Sequence, residues 1–301
     1  MIRKRNEKAA WLGAGFSFAV LWASASTATK IGLTSAQPLV MAVTRFAIAA
    51  AIMLLVSHVW ARHRLPSGKE WRQLIIYGLL NITIYLGCYV TAMQTITAGI
   101  GALAIAANPV FISFLSVFFL KKRLSPAIIL SIIVCAAGVL CAAWPLFGDA
   151  LVTTSGLMIL FFSMVSYSVA AVYFSTKEWS GLHLFTINGW QTLFGGLLLL
   201  PVALFYYNGQ FNHYDKTFWY AVGWLAIPVS IFAVQLWLWL LKKDAVRAGL
   251  WLFLCPLFGF AIAAWWMKDK ISVYTIAGVV SVIGGLLLSK IDAPKSEIVF
   301  D

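Results

Sequence analysis

Two stretches of the chain decide its fold: PVFISFLSVFFLKKR at residues 109–123 and PLFGFAIAAWWMKDK at residues 256–270. Each begins at a proline, continues through an apolar run and ends in a charged triplet. The two stretches lie 147 residues apart. Further pairs recur at the same spacing: Ser125 with Ser272, Gly138 with Gly285, and Lys30 with Lys177. This recurrence predicts a chain built from two copies of one unit.

The composition indicates that both copies lie in a membrane. Hydrophobic residues make up 62% of the 301 positions and charged residues 11%, whereas soluble domains are about half apolar and a quarter charged. The uncharged runs are long enough for bilayer spans of about 20 residues. We therefore predict an all-α membrane protein of ten transmembrane helices, at residues 9–29, 38–60, 73–93, 98–120, 125–144, 155–175, 182–206, 217–241, 246–267 and 271–289.

Each copy then contains five spans, the first within residues 9–144 and the second within residues 155–289. An odd number of spans sends the second copy into the membrane with the opposite orientation, as in the inverted repeats of secondary transporters. The loop after the fourth helix is basic in the first copy, KKR at 121–123, but is diluted by an acid in the second, KDK at 268–270. That difference fits a first loop facing the cytoplasm and a second facing outward.

The distribution of basic residues predicts the topology. Of the 22 lysines and arginines, 17 fall on one side and 4 on the other when the N-terminus is placed in the cytoplasm, with Arg45 inside the second helix. The positive-inside rule therefore predicts cytoplasmic N- and C-termini, and we expect a bacterial inner membrane. The start of the chain also fits a cleaved signal peptide, but cleavage would remove the first helix of the first copy.

Several short motifs occur in a consistent order along the chain. They are Leu21-Trp22 followed by Lys30, Arg45-Phe46, Pro109 followed by the basic loop and Gly138-Val139, and the echo from Pro256 to Gly285. In this order the sequence resembles the EamA-type proteins of the drug/metabolite transporter superfamily over nearly its whole length. The chain departs from the common pattern at Lys122, where many relatives carry a glutamate.

The resemblance implies a bundle in which helices 1–4 and 6–9 surround a central substrate cavity, with helices 5 and 10 at the periphery. Members of the superfamily export amino acids, drugs and other metabolites, or exchange sugar phosphates and nucleotide sugars.

A functional role for Pro109 and Pro256 is predicted from the residues themselves. Each proline removes a backbone hydrogen bond inside a predicted helix, and paired interruptions in two halves point to a transporter's central site. We therefore predict helix kinks at Pro109 and Pro256 that shape or gate the cavity.

The polar and aromatic residues of the spans give a predicted cavity lining. Amides are costly in lipid and should turn towards the interior of the bundle. The predicted lining is Trp22, Ser24, Arg45, Asn81, Tyr85, Asn108, Tyr167, Gln191 and Gln235. Each polar residue of this set has two readings: a contact for the solute, or a hydrogen bond to a neighbouring helix.

Arg45 is the one unambiguous charge inside a predicted span, where it would cost about 2.5–3.5 kcal/mol on insertion scales. It either binds a substrate carboxylate or phosphate through its planar fork or bonds to backbone carbonyls of a neighbouring helix. No Asp or Glu falls within any predicted span, which argues against a proton pump driven by a buried carboxylate.

These observations predict a carrier that exports small organic solutes, such as amino acids or amphipathic drugs, by alternating access.

An enzyme is not expected, because the predicted spans hold no cluster of nucleophile, acid and base. The four cysteines lie in apolar segments without metal-ligand spacing, so no metal or cofactor is expected, and the net charge of +12 reflects topology rather than a nucleic-acid partner. The expected partners are a small-molecule solute and the lipid bilayer, and a homodimer with a second copy of the chain stays open. Two alternatives stay open: a non-transporting membrane sensor or scaffold, and an exchanger of anionic metabolites through Arg45.

Overall fold

The structure is a computed structural model that describes residues 2–96, 101, 104–121, 123–144, 153–267 and 273–288. All regular structure in these ranges is helical. We number the helices α1 Ile2–Gly32, α2 Pro38–Trp60, α3 Lys69–Ala92, α4 Asn108–Phe119, α5 Pro126–Ala143, α6 Thr154–Thr176, α7 Leu184–Phe205, α8 Lys216–Lys243, α9 at 245–267 and α10 Val273–Leu288. A short 3₁₀ turn, Gly209–Phe211, lies between α7 and α8.

Within the described residues, six helices are long and apolar enough to cross a membrane: α1, α2, α3, α6, α7 and α8. The apolar stretches described in α4, α5, α9 and α10 are shorter. The predicted all-helical membrane class is therefore confirmed. Part of the predicted span 98–120 and the loop at 268–272 lie outside the described residues.

Local sequence signals explain where several helices begin. Pro38 and Pro126 each lie in the first turn of a helix, where the missing N–H costs nothing. Side chains cap other helix starts by accepting a backbone N–H: Thr153 does so for α6 and Asp215 for α8. These caps set where the helices begin, so that the apolar residues that follow lie within the helices of the bundle.

Three stretches have the wider π-helical geometry rather than the α-helical one. They are Leu55–Trp60 at the end of α2, Leu79–Ile84 in α3 and Leu225–Ala233 in α8. The last contains Pro228, whose ring clashes with the preceding turn and whose missing N–H interrupts the hydrogen-bond ladder. The stretches in α3 and α8 lie at corresponding positions of the two predicted copies, since 79–84 shifted by 147 residues falls within 225–233. Such π segments frequently occur at functional sites.

The loops fall on two sides of the bundle. On one side, Arg64 of the α2–α3 loop donates to the carbonyl of Ser180 in the α6–α7 loop at 2.8 Å. On the other, Asn212 of the α7–α8 loop donates to Gln37 before α2 at 2.8 Å. The side that carries Arg64 and Ser180 also carries the basic end of α8, because Ser175 at the end of α6 bonds to Leu241. The basic residues of these three segments therefore lie on one side of the bundle.

The helix pairs in contact recur between the two predicted copies. The α3–α6 and α1–α8 contacts correspond under the 147-residue shift, as do the α3–α7 and α2–α8 contacts and the α4–α6 and α1–α9 contacts. The α2–α7 and α5–α10 pairs each correspond to themselves. In the α5–α10 pair the helices are antiparallel, because Ser131 bonds to Gly285 while Cys141, later in α5, lies near Tyr274, earlier in α10.

Candidate functional site

Six aromatic side chains form a continuous series of ring contacts through the middle of the bundle. Tyr85 contacts Tyr89 (ring centroids 6.1 Å apart) and Tyr167 (4.7 Å), and Tyr167 stacks on Trp237 at 5.6 Å. Phe18 and Trp22 complete the series beside Trp237 and Tyr167. We call this set the aromatic column: Phe18, Trp22, Tyr85, Tyr89, Tyr167 and Trp237.

The aromatic column joins the two predicted copies of the chain. Its members lie on α1 and α3 of the first and on α6 and α8 of the second, and all are buried. Trp237 lies about 9 Å before the end of α8 and Tyr89 about 4.5 Å before the end of α3, at about 1.5 Å per residue. The ends of these two helices are on opposite sides of the bundle, so the column lies between the two sides, in the interior.

Arg45 of α2 lies beside the end of the column formed by Tyr85 and Tyr89. Its side chain is 3% exposed, and both phenol groups lie within electrostatic range of the guanidinium. Within the described part of the chain the guanidinium makes no hydrogen bond or ion pair, and its Nε is buried without a partner. The ring of Phe46 lies 4.7 Å from the guanidinium carbon, as a cation–π contact. A buried cation without an acid beside it favours binding of an anion.

Polar atoms of the column and of α8 are also buried without a hydrogen-bond partner. The Tyr167 hydroxyl and the Trp237 Nε1 belong to this group, and so does the Oε1 of Gln235. A buried N–H or O–H that bonds to nothing carries its full desolvation cost of about 1–3 kcal/mol. Both column residues can donate, so the column can offer hydrogen-bond donors to a solute.

The predicted amides Asn81 and Gln191 instead bond to each other and to neighbouring helices. Asn81 donates to Gln191 at 3.2 Å, and Gln191 donates to Asn188 at 3.0 Å. Asn188 in turn donates to the carbonyl of Ser230 at 3.0 Å, inside the π segment of α8. This amide network links α3, α7 and α8, and it uses the polar groups that sequence reasoning had offered to the solute.

The remaining predicted polar residues also have protein partners. Asn108 is fully buried, accepts a hydrogen bond from Ser168 at 3.2 Å and donates to the sulfur of Met164. Ser24 donates to the carbonyl of Leu21 at 2.7 Å and accepts from Trp224. The contacts of Asn108 join α4 to α6, and the contact of Ser24 with Trp224 joins α1 to α8. In each pair the two helices belong to different predicted copies. These residues therefore hold the copies together in this conformation.

The two predicted kink prolines lie at breaks of their helices rather than midway along continuous ones. Pro109 is in the first turn of α4, after a turn at residues 106–107. Pro256 follows the 3₁₀ segment Trp251–Phe253 and lies near the start of the last part of α9, Leu254–Met267. A proline lacks the N–H that would continue the preceding helix, so the helix is interrupted before each proline. The interruption is a turn before Pro109 and a 3₁₀ segment before Pro256.

A histidine group lies at the side of the bundle that carries the basic loops. The rings of His63 and His183 stack at 3.9 Å, and Ser57 bonds to His63 and Thr186. His58 pairs with the backbone carbonyl of His63 and accepts a hydrogen bond from the indole N–H of Trp190. Burial, with His63 and Lys242 nearby, holds the pKa of His183 below its ordinary value.

The arrangement offers ring faces and hydrogen-bond donors that can bind a solute. Among the described residues, no three or more His, Cys, Asp or Glu side chains converge to hold a metal ion. Of the column, sequence reasoning predicted Trp22, Tyr85 and Tyr167 as lining and missed Phe18, Tyr89 and Trp237. Tyr89 could have been found, because it lies one helical turn from Tyr85 on the same face. Cys255 of α9 was also missed; it is buried within electrostatic range of Tyr85, Tyr89 and Tyr167.

The chain is similar to several known proteins over most of its length. It is 24% identical over 283 residues to an uncharacterized transporter of Archaeoglobus fulgidus, covering 90% of this chain and 93% of the relative. It is 26% identical over 276 residues to protein PecM of Dickeya dadantii (89% and 88% covered), and 26% identical over 234 residues to the uncharacterized inner membrane transporter YedA of Escherichia coli (77% and 74% covered).

A crystal structure of a protein with 18% sequence identity superposes on 94% of this chain and 97% of its own, with a TM-score of 0.77, which establishes a shared fold. The sequence profile described as the EamA-like transporter family matches the chain twice, at residues 9–144 and 154–291, and thus over nearly its whole length. This multi-pass membrane protein therefore belongs to the EamA-like transporter family.

Proposed function

We propose that this protein is a secondary transporter that exports small organic metabolites, such as amino acids or amphipathic drugs, by alternating access. The observation that carries the proposal is the aromatic column, which is built from both halves of the chain and holds unpartnered donors at its centre. A column shared by two halves opens when they rock apart, as alternating access requires. The residues proposed for the solute are Trp22, Tyr85, Tyr167 and Arg45, while Ser24, Asn81, Asn108, Gln191 and Gln235 line the surrounding interface.

The proposed architecture is ten spans in two inverted five-helix units, residues 9–144 and 155–289. Support comes from the α5–α10 contact: a Cβ on Gly138 would meet the carbonyl of Gly278, and a Cβ on Gly285 would meet that of Ser131. A shift of 147 residues turns one contact into the other. Reciprocal contacts between antiparallel helices indicate a two-fold axis perpendicular to them, which in a membrane lies in its plane.

We place both termini in the cytoplasm and the protein in a bacterial inner membrane. The grouping of the basic loops on one side of the bundle supports this orientation, since cytoplasmic loops carry the excess of lysine and arginine. Pro109 and Pro256 are proposed as the points where α4 and α9 bend during the rocking motion. A homodimer is compatible with this arrangement and is tested by the mass of the purified protein in detergent.

Transport by inverted membrane vesicles tests the proposal. Vesicles from cells that overproduce the protein should accumulate members of a radiolabelled panel of amino acids and amphipathic drugs faster than vesicles from cells without it. Trp237→Ala should lower that rate at least tenfold, because it removes a ring from the column. Trp60→Ala is the matched control, since the Trp60 side chain is 83% exposed. Equal rates in vesicles with and without the protein, for every member of the panel, would instead favour the sensor or scaffold alternative.

A second candidate function is exchange of anionic metabolites. The unpartnered guanidinium of Arg45 favours it, because an anion would supply the missing counter-charge. Counterflow tells exchange from export: vesicles preloaded with the unlabelled anion should take up the labelled one faster than vesicles without a preload. Rates that are independent of the preload would leave export as the mechanism.

A further inference from the structure

We propose that the central site selects aromatic monocarboxylates, with the carboxylate on Arg45 and the ring in the aromatic column. This inference rests on the proposed function in one respect, that a solute occupies the centre of the bundle. It goes further by naming the chemical class and the two parts of the site that would recognise it.

The charge of the site selects an anion. Arg45 is buried beside Tyr85 and Tyr89, and no acidic side chain pairs with it in the described ranges. The planar guanidinium presents parallel N–H donors that match the two oxygens of a carboxylate. A neutral or cationic head group in the same place would leave the cation without a counter-charge.

The number of cations selects a single negative charge. Lys30 is a second basic residue near this end of α3 in the described part of the chain, and its Nζ donates to the carbonyl of Met93. That hydrogen bond caps the end of α3 and leaves the ammonium charged, but Arg45, and not Lys30, lies within electrostatic range of Tyr85 and Tyr89. One free guanidinium balances a carboxylate but leaves the second charge of a phosphate monoester uncompensated.

The walls of the site select a flat apolar body. Tyr85 and Tyr167 are in ring contact at 4.7 Å, and Tyr167 stacks on Trp237 with an interplanar angle of 19°. A flat ring can replace these contacts with equivalent ones when the column opens, whereas an aliphatic chain cannot reproduce the edge and face interactions. The Tyr167 hydroxyl and the Trp237 N–H, both unpartnered, would meet a polar atom on that ring.

Binding of matched ligands to the purified full-length protein tests the inference. The probes are indole-3-acetate, its neutral isostere indole-3-acetamide, the aliphatic acid hexanoate and zwitterionic tryptophan, each measured by equilibrium dialysis. We expect the acetate to bind about 10- to 100-fold more tightly than the acetamide, the range for a hydrogen bond to a charged group, and more tightly than hexanoate. In Arg45→Gln the ratio of acetate to acetamide affinity should fall to near one, while Arg72→Gln, on the exposed face of α3, should keep the wild-type ratio.

A second measurement does not depend on the Arg45 variant being folded. In a protein whose Cys88, Cys135 and Cys141 are replaced by serine, Cys255 beside the column is the remaining thiol. Indole-3-acetate should slow its alkylation by N-ethylmaleimide, and the acetamide at the same concentration should not. Equal protection by both ligands, or a folded Arg45→Gln protein with the wild-type affinity ratio, would overturn the inference.

The two proposals fail in different ways. Vesicles that transport neutral or zwitterionic solutes without preference for the aromatic acid would refute the inference and leave the transporter function intact. A protein that binds indole-3-acetate through Arg45 but moves nothing across the membrane would support the ligand class and refute transport.

Discussion

A pair of adjacent glycines in α10 gives a sharp test of the helix packing that underlies the proposed repeat. A Cβ added at Gly285 would lie 2.5 Å from the Sγ of Cys135 and 3.1 Å from two backbone atoms of α5, whereas a Cβ at Gly284 would meet nothing within 4 Å. Both positions are helical and next to each other. Replacement of either by alanine therefore gains the same helix propensity, about 1 kcal/mol. The difference between the two variants isolates the steric contact.

The magnitude follows from the distances. Ordinary contact begins at about 3.4 Å, so the Cys135 side chain must rotate away and α5 must move by a few tenths of an ångström. Overpacking of this kind costs about 1–3 kcal/mol. Gly285→Ala should thus be less stable than Gly284→Ala by about 1–3 kcal/mol. Gly138→Ala should show a penalty of similar size, because its Cβ would lie 2.9 Å from the carbonyl of Gly278 and 3.1 Å from the N–H of Val282.

Reversible unfolding in mixed micelles with increasing denaturing detergent measures these differences, and a thermal scan provides a second readout. Equal stabilities of the two α10 variants, within about 0.5 kcal/mol, would show that α5 does not pack on Gly285 as described. A penalty at Gly285 without one at Gly138 would refute the reciprocal contact and weaken the proposal of a two-fold related pair of units.

Three further predictions concern the amide network, the aromatic column and the histidine group. Asn188→Ala should destabilise the protein by about 0.6–1.7 kcal/mol in the same assay, because it removes hydrogen bonds that link α7 to α8. Tyr167→Phe should leave stability unchanged or raise it by about 1 kcal/mol, since the lost hydroxyl has no partner, yet it should slow vesicle transport. The lowered pKa of His183 means that its neutral form is favoured in the folded state, so stability should fall as the pH drops below about 6.5 through the folded-state value.

Each of these predictions has a defined failure. Wild-type stability of Asn188→Ala would mean that the network is not made, and wild-type transport by Tyr167→Phe would remove its hydroxyl from the solute path. His183→Gln is the control for the pH dependence and should flatten the loss of stability between pH 7 and pH 5, measured by thermal scans at fixed ionic strength. An unchanged pH profile in that variant would assign the titration to another group.

The site was predictable from the sequence only in part, because burial and partnership depend on neighbours that are distant in the chain. Arg45 was identified as a costly intramembrane charge, and the structure leaves its guanidinium without a partner in the described residues. Asn81 and Gln191 were predicted with equal reason, but they are 110 residues apart and satisfy each other. No local pattern distinguishes an amide that waits for a solute from one that bonds to another helix. Trp237 and Phe18 join the column for the same non-local reason.

What the sequence by itself determined is the helical membrane class and the positions of the long apolar helices. The relation between the two stretches at 109–123 and 256–270 stays a prediction. Hydrophobicity over a span length and Pro, Gly or charge at its ends are local signals, so α2 begins at Pro38 as predicted. The tertiary structure decided where those helices deviate: α9 is broken by a 3₁₀ segment and α3 and α8 contain π turns. These deviations arise because backbone hydrogen bonds must be satisfied inside a packed bundle, where a proline or a close helix contact displaces the regular ladder.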